Sequence, residues 1–479
     1  MNKTTTSTTM KTKTKTKIIV LDDDPTGSQT VHSCLLLTRW DVETLKIALT
    51  DDSSPLFFVL TNTRGFSREK AANVTREVCV NLKSALSSLA AALNDDDNDT
   101  NKINININPI LVSRSDSTLR GHYPVETDII AEELGPFDAH FLIPAFFPFR
   151  ITRNGTHYCV VVSKNKEEED EVKKLIPCHE TEFANDSVFG YSTAYLPDYV
   201  TEKTRGGITP DQVEHFRLKE VQGNCTDRLL SLKDNVCCIV DCEEQSDLDQ
   251  FAKQLNEALV ATPLRPKKFL FRSGASILTS LAMLPPQPIP AEHMGQYVKD
   301  RRPGVILVGS HVKKTTSQLN ELLKVNNIVG LEVDVKRIQN KEESDAMLKE
   351  LVARIKKIHD EGKHPVIYTS RTELTSFETH KERLQFGEQV SNFLMEIVKN
   401  LPLTLGFLIS KGGITSNDVL SNGLELKMSR VLGQILPGCS VIKCPRDHIR
   451  YPDMPVVIFP GNVGNEFGLV TTFQRLSSS

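Results

Sequence analysis

At 479 residues the chain is longer than one hydrophobic core usually serves, which favours two domains. A formal charge of −4 lacks the basic excess needed to grip a phosphate backbone, which sets nucleic acid aside as a partner. Apolar residues at 39% and charged residues at 25% suit an ordinary globular protein, and the apolar runs are far shorter than the roughly 20 residues of a membrane span.

Residues 1–16, MNKTTTSTTMKTKTKT, lack the apolar core of a secretory signal and read as a disordered tail whose targeting role the sequence leaves open. Structure is expected from Lys17, where KIIVL reads as a short buried strand ending in three aspartates and a Thr-Gly turn. Strands of the same kind follow at Leu56–Thr63, Ile107–Ser117, Ala139–Phe146, Asn235–Cys242 and Lys268–Gly274. Helical stretches such as Ser67–Leu93 and Ser246–Ala261 lie between them, so a largely parallel sheet is predicted over residues 17–282. The Asn/Asp/Ile tract Asn94–Asn108 reads as a surface insertion, and the acidic run Lys166–Lys174 as a solvated loop or helix face.

The proline-rich stretch MLPPQPIPAEH, with DRRPG behind it, marks an interdomain linker over residues 283–303. Beyond it the pattern restarts, with strands at Gly304–His311, Gly330–Val335, His364–Arg371, Leu405–Gly413, Cys439–Pro445 and Pro455–Gly464. Helices at Thr316–Val325, Glu342–Glu361, Glu378–Lys399 and Ser416–Leu420 alternate with them. The predicted fold class is therefore α/β with two domains, each a largely parallel sheet flanked by helices, and an active site in the cleft between them. Ten scattered cysteines without a C-x-x-C pair suit reduced packing thiols in a cytoplasmic protein, and no metal site is expected from them.

Ligands of open α/β sheets bind beyond the carboxyl ends of the strands. In the first half these ends are charged. LDDDPTGSQT places Asp22, Asp23 and Asp24 together, where like charges repel unless a cation, a cationic side chain or a hydroxyl substrate satisfies them. Helix capping explains one aspartate but not three. SRSDSTLRGHYP combines Arg114, Asp116, Ser117, Thr118, Arg120 and Gly121, and TNTRGFS adds Arg64. Surface charge is the plain alternative for each segment alone; together they suit a pocket for a carboxylate and several hydroxyls.

In the second half three strand ends carry glycine turns: GSHVKKTT with Gly309 and Ser310, KGGITSND with Lys411, Gly412, Gly413, Ile414 and Thr415, and PGNVGNE with Gly461 and Gly464. Such turns let backbone N–H groups face an anion while a following helix adds partial positive charge, and Lys411 can neutralise a phosphate. Plain tight connections are the alternative. None is a Walker A loop, because GSHVKKTT has no second glycine before its lysine.

Taken together, these segments resemble the four-carbon acid sugar kinase family over Lys17 to about Leu476. Asp23, Asp24, Pro25, Thr26 and Gly27 resemble its D-D-x-T-G block, and Asp116–Gly121 its D-S-T-x-[RK]-G. FANDSVFGY (Phe183–Tyr191), EKT (Glu202–Thr204) and the G-G-x-T at Gly412–Thr415 are similar to further blocks. The resemblance implies an ATP- and Mg2+-dependent kinase acting on threonate, erythronate or oxo-tetronate. Its ATP site would lie at Gly309, Ser310, Gly412, Gly413, Ile414, Thr415, Gly461 and Gly464. In this reading Arg64 and Arg120 hold the acid with Asp116, Ser117 and Thr118, Asp23 or Asp24 takes the hydroxyl proton, and Lys411 stabilises the transferred group. A catalytically silent nucleotide or metabolite sensor is the alternative. An NAD-dependent oxidoreductase is weaker, since no G-x-G-x-x-G follows the first strand. The stereoisomer and the oligomeric state stay open, with a homodimer as a candidate assembly.

Overall fold

Period-2 alternation carries the first strand further than its apolar run suggests. In the computed structural model, which describes residues 13–92, 105–164, 171–261, 266–371, 377 and 380–477, this strand spans Lys13–Asp22. Lys17 is fully buried, and its Nζ donates to the Asp51 and Ser54 carbonyls at 2.6 and 2.7 Å. Lys15, two residues earlier on the same face, donates to the Asp51 carbonyl at 3.2 Å. The predicted tail thus gives up its last four residues, Lys13–Thr16, to the strand, and residues 1–12 lie outside the described residues.

The chain forms two compact units that interleave in sequence. The N-terminal unit takes Met1–Leu21, Trp40–Val59 and Ser67–Ser273; the C-terminal unit takes Asp22–Arg39, Leu60–Phe66 and Gly274–Ser479. Two short segments from the first part of the sequence, including the triple aspartate and Arg64, therefore fold with the second part.

In the N-terminal unit the strand order is Leu56–Leu60, Lys13–Asp22, Ile105–Arg114, Phe269–Ser273, Ala139–Ile143, Val236–Val240 and Glu214–Phe216. From Ile105–Arg114 onward every pairing is parallel. Its aromatic core centres on Phe141, whose ring lies 5.3–6.0 Å from those of Phe216, Phe251, Phe269 and Phe271. An antiparallel ribbon of Arg150–Arg153, Thr156–Lys164 and Glu171–Pro177 is a departure from the parallel expectation. Its last strand includes Glu171–Lys174, so the end of the acidic run is neither loop nor helix; residues 166–170 lie outside the described residues. Likewise Ile105–Asn108 of the Asn/Asp/Ile tract belongs to a strand, and residues 94–104 fall outside the description.

In the C-terminal unit the order is Ile328–Val333, His364–Thr369, Val305–Val308, Leu408–Lys411, Pro455–Phe459, Cys439–Lys443, Met428–Leu436 and Leu35–Leu37. The first five pair in parallel and the rest antiparallel. Taken in chain order, the parallel strands lie 2-3-1-4-5, so the winding reverses between Val305–Val308 and Leu408–Lys411. Such a reversal opens a crevice at the carboxyl ends of the two strands.

The proline-rich stretch expected as a linker packs onto this unit. Met294 is fully buried, and Gln287 imitates a strand edge: its Oε1 accepts from Gln434 N at 2.8 Å and its Nε2 donates to Gln434 O at 3.1 Å. No helix among the described residues is long and apolar enough to cross a membrane.

Candidate functional site

A cavity of about 420 Å³ opens at the winding reversal of the C-terminal unit. Two turns line it: Gly309 and Ser310 after one strand, and Gly412, Gly413, Ile414 and Thr415 after its neighbour. The lining also includes the apolar side chains of Val335, Phe377, Phe386, Val390 and Leu394, with Arg383 and Ser391 among them. Gly412 has φ 122° and ψ 139°, a left-handed backbone that favours glycine, and precedes the helix Gly413–Asp418. Gly309 is required by space: a Cβ there would stand 2.2 Å from Thr415 Oγ1. The two turns thus mesh, with the Thr415 hydroxyl seated over Gly309. Ile414 is 72% exposed at the cavity wall, an apolar side chain left for a ligand to cover.

Gly461 supports this wall from behind. Its carbonyl accepts from Thr315 Oγ1 at 3.1 Å, and its Cα faces the Ser310 hydroxyl. Gly464, with φ 79°, stands apart from the cavity in a turn fixed by Gln318, whose Nε2 donates to the Val463 and Asn465 carbonyls at 2.9 and 2.7 Å.

Lys411 is not placed to meet a ligand. It is fully buried, its Nζ donates to the carbonyls of Pro460 and of Gly461 (3.1 Å for the latter), and it lies 4.0 Å from the Phe459 ring centroid. Burial pushes its pKa down to about 7. Its amine ties the 460–461 turn to the neighbouring strand.

The three aspartates divide their tasks. Asp22 is fully buried beneath Gly27, where a Cβ would stand 2.0 Å from both carboxylate oxygens. Asp23 is 2% exposed and receives the Arg64 guanidinium in a bidentate pair, Nη2 on Oδ1 and Nε on Oδ2 at 3.1 Å. Asp24 is partly exposed; its Oδ1 accepts from Thr26 N at 2.8 Å and from the Thr26 hydroxyl, and its Oδ2 lies 3.7 Å from Arg64 Nη1. That same Oδ2 faces Gly413 of the cavity wall. Arg64 therefore neutralises aspartates of the C-terminal unit, while Arg120, the other arginine expected to hold the acid, belongs to the N-terminal unit.

In the N-terminal unit, Asp116, Ser117, Thr118 and Arg120 form one turn. Asp116 accepts from Thr118 N at 3.2 Å, from the Thr118 hydroxyl and from Arg120 Nε at 2.6 Å. Arg120 also reaches Asp186 Oδ2 at 3.5 Å and lies 5.2 Å from the Phe183 ring centroid. Burial alone would raise the Asp186 pKa, but amide bonds from Phe189 and Val188 and the charge of Arg120 lower it on balance.

The apolar cavity lining and Arg371 escaped the sequence reading. Arg371 Nη1 donates to Ser310 O at 2.7 Å and Nη2 to Thr369 Oγ1 at 2.7 Å, fixing the first glycine turn from the neighbouring strand end. The signal was present: Arg371 ends a strand like the other candidates, and Phe386, Val390 and Leu394 recur at helical spacing. Among the described residues no group of three or more His, Cys, Asp or Glu side chains is placed to hold a metal ion.

Residues 18–281 match the family profile of a sugar-binding N-terminal domain, and residues 305–469 that of a nucleotide-binding C-terminal domain. A solved structure from Salmonella typhimurium LT2, provisionally described as a tRNA synthase, is 17% identical with a TM-score of 0.66, covering 96% of this chain and 98% of that one. A Haemophilus influenzae protein of the DUF1537 family is 16% identical with a TM-score of 0.59, covering 96% and 100%. At such identity these likenesses show the fold alone. Comparison with proteins of curated function gives no match.

Proposed function

This chain belongs to the four-carbon acid sugar kinase family, which joins a sugar-binding N-terminal domain to a nucleotide-binding C-terminal domain, and on that footing we propose that it transfers the γ-phosphoryl group of ATP to a hydroxyl of a short sugar acid. Threonate, erythronate and oxo-tetronate are the candidate acceptors. The observation that carries this reading is the placement of Asp24, the partly exposed aspartate, against the glycine turn of the cavity.

ATP suits a cavity lined by glycine turns and apolar side chains. Phe377, Phe386 and Leu394 would pack on the base, while the amides of Gly413, Ile414 and Thr415 would meet the phosphates, those of Ser310 and Gly412 being given to the Lys411 and Phe459 carbonyls at 3.4 and 2.8 Å. Asp24 orients the acceptor hydroxyl and takes its proton as the oxygen attacks the γ-phosphorus; the bond to the β-phosphate oxygen breaks and ADP leaves. Arg64, bound to both aspartates, holds that carboxylate in place. Lys411 acts through the 460–461 turn and not on the transferred group.

Mg2+ commonly binds through one or two carboxylates with waters and substrate phosphates, and Asp24 would supply one such carboxylate. The ion would neutralise charge on the transferring phosphoryl group. In the N-terminal domain the Asp116–Arg120 turn meets the acid, with Arg120 for its carboxylate and the Ser117 hydroxyl and Asp116 for its hydroxyls.

ADP release measured over a panel of four-carbon sugar acids tests the reading. It expects acid-dependent turnover in at least one case. Tight nucleotide binding without turnover on any acid would favour the silent sensor instead.

A further inference from the structure

Five successive peptide carbonyls, from Asp116 to Arg120, are each met by a donor from a distant side chain of the N-terminal unit. Arg272 Nη1 donates to Asp116 O at 3.1 Å and its Nη2 to Arg120 O at 2.8 Å, bracketing the turn. Between them His157 Nε2 donates to Ser117 O at 2.8 Å, Tyr191 Oη to Thr118 O at 2.8 Å, and Tyr199 Oη to Leu119 O at 2.7 Å. Arg272, His157 and Tyr199 are 1%, 0% and 0% exposed, and Tyr191 is 7% exposed.

We infer that Arg272, His157, Tyr191 and Tyr199 are positioning residues for the acid substrate, a clamp that fixes the Asp116–Arg120 turn in its binding shape. The clamp rests on the reading of this turn as the sugar-acid site. Packing alone needs apolar bodies here, not four polar tips on consecutive carbonyls; a buried hydroxyl or imidazole is costly unless its partner is there. The backbone agrees. Leu119 sits at φ 69°, in the left-handed region that a leucine avoids, and such a conformation persists only where its surroundings over-determine it.

The tautomer follows from the partners. A carbonyl only accepts, so His157 carries its proton on Nε2, and Nδ1 at 3.1 Å accepts from the Thr152 hydroxyl. Burial keeps the ring neutral by pushing its pKa down to about 4.

The clamp also bears on selectivity. With the carbonyl oxygens committed to buried donors, the negative ends of these peptide dipoles are drawn toward the protein interior, and the turn presents Arg120, Ser117 and Asp116 instead. That arrangement favours a carboxylate over a neutral polyol of the same length.

Tyr199→Phe and Tyr191→Phe remove one hydroxyl each with almost no change of volume. Tyr123→Phe is the control: Tyr123 is 6% exposed and its ring is 6.1 Å from that of Tyr199, but its hydroxyl lies 4.0 Å from Cys237 Sγ and off the turn. In the full-length protein, each clamp variant should speed amide exchange at residues 116–121 and raise KM for the acid by about tenfold or more, leaving nucleotide affinity unchanged. Tyr123→Phe should do neither. If the clamp variants leave exchange at the turn as it is, or if Tyr123→Phe raises KM equally, the clamp is overturned. Should the wild-type protein bind no sugar acid, the functional reading fails, and the exchange measurement still decides whether the clamp exists.

Discussion

Asp24 Oδ2 lies 3.3 Å from the point where a Cβ on Gly413 would project, so the carboxylate faces a glycine turn across the space that a side chain there would take. Both residues belong to the C-terminal unit, although 389 positions separate 24 from 413 in sequence. A methyl group at 413 displaces the carboxylate by a few tenths of an ångström, and a branched side chain fills the space over the turn. Gly413→Ala is therefore expected to lower kcat while nucleotide affinity stays within about threefold, and Gly413→Val to abolish both. Calorimetric titration with a non-hydrolysable ATP analogue, beside steady-state kinetics, separates the two effects.

Asp24→Asn keeps the shape of the turn but removes the base. Turnover should fall by about 10²–10⁴-fold with nucleotide binding retained. Asp23→Asn should behave differently, because it breaks the buried bidentate pair with Arg64. Thermal denaturation is expected to show the larger stability loss in the Asp23 variant, and the kinetics the larger loss of kcat relative to stability in the Asp24 variant.

Lys411 gives a pH signature. Its pKa in the folded chain is about 7 against the ordinary 10.5, so the unfolded chain binds more protons between those values. Stability from this group therefore rises with pH across that window, and below pH 7 the fold carries the cost of a charged buried amine. In urea denaturation between pH 7 and 9, where the thiols of the unfolded chain ionise alike in both proteins, the slope of stability against pH should be more positive for the wild type than for Lys411→Met, by up to about 1.4 kcal/mol per pH unit. Parallel slopes would mean that the amine is not the titrating group.

Gly27→Ala should destabilise the C-terminal unit by about 1–3 kcal/mol, because the added methyl overlaps the buried Asp22 carboxylate. Equilibrium unfolding monitors this directly, and a change below about 0.5 kcal/mol would mean that the turn yields without cost.

Much of this was legible from residue order alone. Strand ends rich in glycine or aspartate announced the loops, because buried parallel strands are continuous apolar runs that stop where polar ligands bind. What the pattern could not reveal was partnership. Nothing local to LDDDPTG or TNTRGFS says that these segments fold with residues beyond 274, since that depends on long-range contacts. Nor does a lysine after a strand disclose whether its amine faces a ligand or, as Lys411 does, two carbonyls of a neighbouring turn. The antiparallel ribbon at 150–177 was hidden for a related reason: its last strand opens on a charged stretch, EVKK, that reads as solvated.

Phosphoryl transfer to a sugar acid is read from its product. Incubation with ATP and Mg2+ and each four-carbon acid, followed by ³¹P NMR, should show a new phosphomonoester resonance formed in step with ADP, and none with Asp24→Asn on the same timescale. Inorganic phosphate as the sole phosphorus product besides ADP would mean that water and not the acid accepts the phosphoryl group, and a phosphomonoester formed equally well by the Asp24 variant would mean that Asp24 is not the base.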